Sequence, residues 1–183
     1  MVAHVRRCGS CSLCCRLLPV RSVGKGANER CKHQRFSSKG ECCKVYVNLW
    51  RVSPECKLWS CGWLKMPDTG ELSRPDKSHY VIDPMPEYIT VRDADGAPEH
   101  VQVVQIWCDE SYPDAHRDPA LRAWLVKRNM PGLVRYDNKR GLVIFPPSYM
   151  SHGEWTEKHS NMNAEQPHTF EQVVQALGGA NVR

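Results

Sequence analysis

Long apolar runs are missing from this 183-residue chain. No stretch approaches the eighteen or so consecutive apolar residues of a membrane-spanning helix. The start, Met1-Val-Ala-His-Val-Arg-Arg-Cys8, has no apolar h-region of the secretory kind, so a cytoplasmic protein with no membrane partner is expected. Nucleotide and nucleophile signatures are missing as well, with no Walker loop, no G-x-G-x-x-G and no G-x-S-x-G. His152-Gly-Glu154 imitates the H-x-E of zinc deaminases, but the P-C-x-x-C that must follow does not. Trp155-Thr-Glu-Lys-His159 is not H-E-x-x-H. No acid, base and nucleophile set converges, and the expectation is a protein that is not an enzyme.

Two further scarcities divide the chain. Beyond residue 61 there is a single cysteine, Cys108; the other nine of the ten are Cys8, Cys11, Cys14, Cys15, Cys31, Cys42, Cys43, Cys56 and Cys61. A reducing cytosol disfavours structural disulfides, and scattered core thiols would not cluster this way, so metal binding is the expected use. Aspartate is absent from residues 1 to 65, which carry 13 Lys and Arg against 3 Glu, whereas the remainder carries 12 against 17. The two parts are formally +10 and −5. A four-thiolate zinc site has a formal charge of about −2, so two of them would offset about four of the ten positive charges. The residual basic face is read first as a solvated surface, and second as a place for a nucleic-acid or protein partner.

Residues 1 to 66 read as a loop-rich module. Turn formers recur at Gly24-Lys-Gly26, Ser37-Ser-Lys-Gly40 and Ser53-Pro54, and apolar periodicity is weak, so metal must supply much of the ordering free energy. Past the turn at Pro67-Asp-Thr-Gly70 the pattern changes to period two, predicting strands over His79 to Asp83, Tyr88 to Arg92 and Val101 to Trp107, with a turn at Asp93-Ala-Asp-Gly96. Asp118-Pro119 reads as an N-cap with proline at the first helical position; Leu121, Trp124, Leu125 and Arg128 follow at helical spacing until Pro131-Gly132. Asp137-Asn-Lys-Arg-Gly141, between Leu133 to Tyr136 and Leu142 to Phe145, is a hairpin signal. Residues 146 to 167 read as a long loop, and a last helix is predicted from about Thr169 through Phe170, Val173, Val174 and Leu177. The expected fold is therefore α+β: a metal-organised cysteine module (1 to 66) packed on a small antiparallel sheet with two helices (67 to 183).

The cluster Cys8-Gly-Ser-Cys11-Ser-Leu-Cys14-Cys15 chains two C-x-x-C turns, each of which can aim two sulfurs and several amide N–H groups at one ion. Neighbouring side chains rarely reach one tetrahedral ion together, so one of Cys14 and Cys15 serves a second metal or bridges two. With Cys31-Lys-His33, Cys43-Lys-Val-Tyr46 and Cys56-Lys-Leu-Trp-Ser-Cys61-Gly-Trp63-Leu64, the first third of the chain resembles the YkgJ-like cysteine-cluster proteins, described as zinc- or iron-chelating; Arg74-Pro75-Asp76 is a looser echo. The chain departs from that pattern in having Val52-Ser53-Pro54-Glu55 where the family has Arg-Pro, and in the extra Cys42, an alternative ligand to Cys43 although the C-x-x-Y spacing favours Cys43. The resemblance implies metal chelation through Cys8, Cys11, Cys14, Cys15, Cys31, Cys43, Cys56 and Cys61.

Eight thiols would make two tetrahedral zinc sites, which is the first expectation, or one iron–sulfur cluster with thiols to spare. The ferredoxin spacing is followed only to Cys14, since Leu18 stands at the fourth position before Pro19. A [4Fe-4S] centre would need a remote fourth cysteine. Cys108, alone beside Trp107, reads as a core residue, and His33 as an ordinary histidine. The function expected is non-enzymatic metal binding; an iron–sulfur redox or sensing protein and a nucleic-acid-binding zinc module are the alternatives.

Overall fold

The computed structural model describes residues 6–35, 43–92 and 95–161. The helix predicted from Thr169, Cys42, and half of the turn at Asp93-Ala-Asp-Gly96 lie outside the described residues. Among the described residues before the sheet, the chain makes short 3-10 turns and five single-turn α-helices: α1 (Cys14–Leu17), α2 (Leu49–Val52), α3 (Pro54–Leu58), α4 (Gly62–Lys65) and α5 (Pro75–Ser78). A five-stranded sheet follows, β1 (Tyr80–Arg92), β2 (Pro98–Cys108), β3 (Gly132–Arg135), β4 (Arg140–Phe145) and β5 (Thr156–Asn161), in the order β1-β2-β3-β4-β5. Helix α6 (Pro119–Arg128) lies between β2 and β3 in sequence. The α+β class is as expected.

The sheet corrects the expectation in three places. It is not wholly antiparallel: β2 and β3 pair in parallel, Val104 beside Gly132 and Trp107 beside Arg135. Parallel neighbours need a crossover of a dozen or more residues, and the segment carrying α6 provides it. The two short strands expected at 79 to 83 and 88 to 92 are one long strand whose register slips between Asp83 and Glu87. The slip falls on Pro84-Met85-Pro86, where neither proline can donate to the ladder, which is where sheets tolerate such residues. Third, part of the expected loop is β5, on the edge beside β4. Its sequence, Thr-Glu-Lys-His-Ser-Asn, has no apolar alternation to betray it. Glu157 instead meets Arg117 at 2.9 Å and Arg122 at 2.8 Å, and the Arg122 guanidinium lies 5.0 Å from the centre of the Trp155 ring.

Helix α6 forms where its caps and spacing predict. Asp118 accepts from the Ala120 N–H at 3.0 Å, Pro119 occupies the first turn, and Asn129 ends the helix in the left-handed region at φ 49°. Leu121, Trp124 and Leu125 pack on one face of the sheet, against Ile82, Val104, Ile106, Val134, Leu142 and Ile144, and the buried Cys108 belongs to this cluster. Gly132 allows the close approach there: a Cβ would lie 2.8 Å from both Ile106 and Ile144.

The other face is shared. Val103, Leu133, Val143 and Phe145 form one cluster, while Val81 and Trp107 are covered by Leu17, Leu18 and Cys61 from the cysteine module. Polar ties reinforce this junction. Trp59 donates through Nε1 to Asp83 at 2.9 Å, Arg16 pairs with Asp109 at 3.0 Å, and the Asn28 amide donates to the carbonyls of Cys108 and Tyr136. The cysteine module is thus seated on β1 and β2 by leucines adjacent to its cysteines.

Candidate metal centre

The Cys8-Gly-Ser-Cys11 turn closes through the Cys11 N–H to the Cys8 carbonyl at 2.9 Å, with Gly9 at φ 55°, a conformation that glycine adopts without cost. The chain then enters α1, which carries Cys14 and Cys15 and buries Leu17 beneath the sheet. From the far end of the module, Cys61 precedes α4, and Gly62 lets that turn press on Ile82: a Cβ at Gly62 would lie 2.7 Å from Ile82. These segments meet around a cavity of about 20 Å³, lined by Cys8, Cys11, Cys14 and Cys61 together with Trp63, Arg74 and Val81. A space of that size holds one water or one ion. Arg74 and Pro75, from the looser family echo, form part of its wall, and Arg74 is pinned by Asp76 at 2.6 Å.

The electrostatics of these thiols follow their burial. Desolvation pushes the Cys11 thiol up and takes Cys61 to about 11. Cys14 and Cys15 interact directly: Cys14 gives its proton toward Cys15, which raises Cys14 and, with Lys25 nearby, lowers Cys15 to about 7. Lys25 is 7% exposed, its ammonium donating to the carbonyls of Arg16, Leu18 and Gly26. Desolvation lowers its pKa, while Cys31, Cys15, Glu29 and Cys14 favour its charge. No motif announced this residue; flanking glycines marked only a turn.

Cys31, Cys43 and Cys56 do not line the cavity. The Cys31 N–H donates to the Cys15 carbonyl at 3.0 Å, and Gln34, one turn on, forms an isolated β-bridge with Cys43. Cys56 is exposed as a residue, yet its thiol is sheltered enough for burial to push it up; its N–H is capped by Ser53 at 3.4 Å. Val52-Ser53-Pro54-Glu55 supplies that cap, with Ser53 before α3 and Pro54 in its first turn. His33 is half-buried and donates its backbone N–H toward the Cys31 sulfur at 3.4 Å. Cys108 is fully buried in the core, and burial pushes its thiol up to about 12, so it stands apart from the cluster as expected.

No disulfide joins any of the nine described cysteines. Among the described residues no three His, Cys, Asp or Glu side chains are drawn close enough to hold an ion in the conformation seen. The sulfurs therefore share a neighbourhood and not a preformed cage. The donor set, four thiols around one ion-sized cavity, fits a thiophilic ion in kind and number. No helix among the described residues is long and apolar enough to cross a membrane. Comparison with known proteins returns no match to a family model, to a curated protein or to a solved structure, so the likeness to the cysteine-cluster family rests on the quoted residues and their spacing.

Proposed function

We propose that this chain is a non-enzymatic thiolate metal-binding protein, its cysteine module ordered by two zinc ions in a structural, storage or partner-recognition role. The observation that carries the reading is the ion-sized cavity to which three separate segments contribute Cys8, Cys11, Cys14 and Cys61. Protonated thiols pack as small apolar groups, and drawing them onto an ion requires their deprotonation and rotation about χ1. The basic surroundings and the resemblance to chelating proteins support the same chemistry. Elemental analysis of anaerobically purified protein tests it: two zinc ions per chain are expected, and protein that purifies and refolds without metal overturns it.

Iron, or a [4Fe-4S] cluster in a redox or sensing role, is the alternative occupant, and a brown chromophore with stoichiometric sulfide would identify it. A nucleic-acid reading is favoured by one separate feature. Tyr46 (65% exposed) and Trp50 (58%) stand in consecutive turns among exposed Lys44, Arg51 and Lys57, and the Lys57 ammonium is 5.8 Å from the centre of the Tyr46 ring. Exposed aromatic rings for base stacking, interleaved with cations for phosphate, suit a single strand. Salt-dependent binding of an oligonucleotide, lost in Trp50→Ala and Tyr46→Ala, supports it; binding unchanged by both overturns it.

A further inference from the structure

Cys14 and Cys15 are adjacent on α1, where successive side chains leave the axis about 100° apart. Cys14 faces the cavity with Cys8, Cys11 and Cys61, and Cys15 does not line it. Cys15 instead lies against a second set of segments. Its carbonyl takes the Cys31 N–H, and Gln34 locks the Cys31 turn in place by donating to the Ser12 hydroxyl at 2.8 Å. The Gln34–Cys43 bridge and the Lys44 N–H to the His33 carbonyl, 2.8 Å, bring Cys43 alongside. Cys56 is tied in through Ser53, whose hydroxyl meets that of Ser22 at 2.8 Å in the turn that precedes Lys25.

We infer that the eight cysteines form two separate four-sulfur metal sites, Cys8, Cys11, Cys14 and Cys61 in one and Cys15, Cys31, Cys43 and Cys56 in the other, with the adjacent Cys14 and Cys15 each serving a different ion. This rests on the metal-binding reading above. Each site closes with four thiolates, as structural zinc does, and neither leaves a position open for substrate. Lys25, buried beside Cys15 and Cys31, places a positive charge against the second site, and Arg74 places one at the first. One peptide unit joins the two sites, so the first ion to bind fixes α1 and brings Cys15 into place for the second.

Metal content and the cobalt(II) spectrum of full-length variants test the partition. Cys11→Ser and Cys61→Ser should each lose one of two ions, and the double variant no more than one. Cys43→Ser and Cys56→Ser should behave as a second such pair, and Cys11→Ser/Cys43→Ser should lose both ions. Should ligand variants fail to fold, alkylation of the parent protein loaded with one equivalent of zinc gives the same information. Molecules retaining four protected thiols should carry them as one complete quartet, read by mass spectrometry. A protected set mixing Cys61 with Cys31, or a Cys14→Ser variant that empties both sites, overturns the partition. A parent protein that binds no metal under any loading condition overturns the metal reading itself, a result distinguishable from either.

Discussion

Stripping metal from the full-length protein should unfold the cysteine module while the sheet persists. Among the described residues before Pro67, the buried aliphatic side chains are Leu17, Leu18 and Leu49, at 0%, 9% and 6% exposure. At about 1.5–3 kcal/mol each, they contribute about 5–9 kcal/mol. Structural zinc contributes about 10–16 kcal/mol per site near neutral pH, within or above the roughly 5–15 kcal/mol of a whole domain. On the proposed ligation, metal–thiolate bonds would therefore stabilise the module more than its apolar packing does. Hydrogen exchange with and without a strong chelator reads the outcome amide by amide. Protection should be lost at Cys11, Cys15, Cys31, Gln34 and Leu64, whose N–H groups bond to Cys8, Ser12, Cys15, Cys31 and Cys61 within the module. It should persist at Val104 and Asp109, bonded to Pro131 and His79, and along α6. Acid should act like the chelator, because protonation competes with the ion for sulfur. An unchanged pattern at the five module amides in verified metal-free protein would mean that the cysteines are not structural ligands.

Three perturbations address the rest of the molecule. Asp118→Ala removes the α6 cap and the carboxylate that accepts from the buried Tyr80 hydroxyl at 2.9 Å, and should cost about 2–4 kcal/mol by denaturant titration; a loss below about 1 kcal/mol would mean that neither bond matters. Gly132→Ala forces a Cβ against Ile106 and Ile144 and should destabilise by about 1–3 kcal/mol, visible as a lower Tm; an unchanged Tm would show that β3 can shift. Glu157 is held below the usual carboxylate range by its hydrogen bond to Arg117, helped by the charges of His116, Arg117 and Arg122. A lowered folded pKa gives stability present above the unfolded value near 4.5 and lost as pH falls through the folded one, so Glu157→Gln should flatten the acid limb of stability against pH; a limb identical to the parent's would discount the pairing.

Local chemistry carried much of this protein on its surface. Asp118-Pro119 and the spacing of Leu121, Trp124 and Leu125 define α6 because caps and helical period act within a few residues. The period-two pattern fixes which residues of β1, β2 and β4 face α6, since a register slip would bury the wrong side chains. Cys108 reads as core, and the crowding of the other cysteines marks the candidate site. Even the parallel β2–β3 pair was legible in principle, as a helix between two strands.

What the sequence could not decide depends on contacts between distant segments. Edge strand β5 is polar, and only the ladder with β4 and the arginines from 117 and 122 make it a strand. The buried ammonium of Lys25 looks in sequence like any surface lysine between glycines, until the carbonyls of Arg16, Leu18 and Gly26 close on it. Spacing alone says that Cys8, Cys11 and Cys14 belong together, but which remote cysteine joins them is set by where α4 docks. Gly62 pressed on Ile82, and Leu17 buried against Val81 and Trp107, carry Cys61 to the cavity, which Cys31, Cys43 and Cys56 do not line. That choice lives in the packing of the module on the sheet, because thiols so far apart along the chain have no local preference for one another.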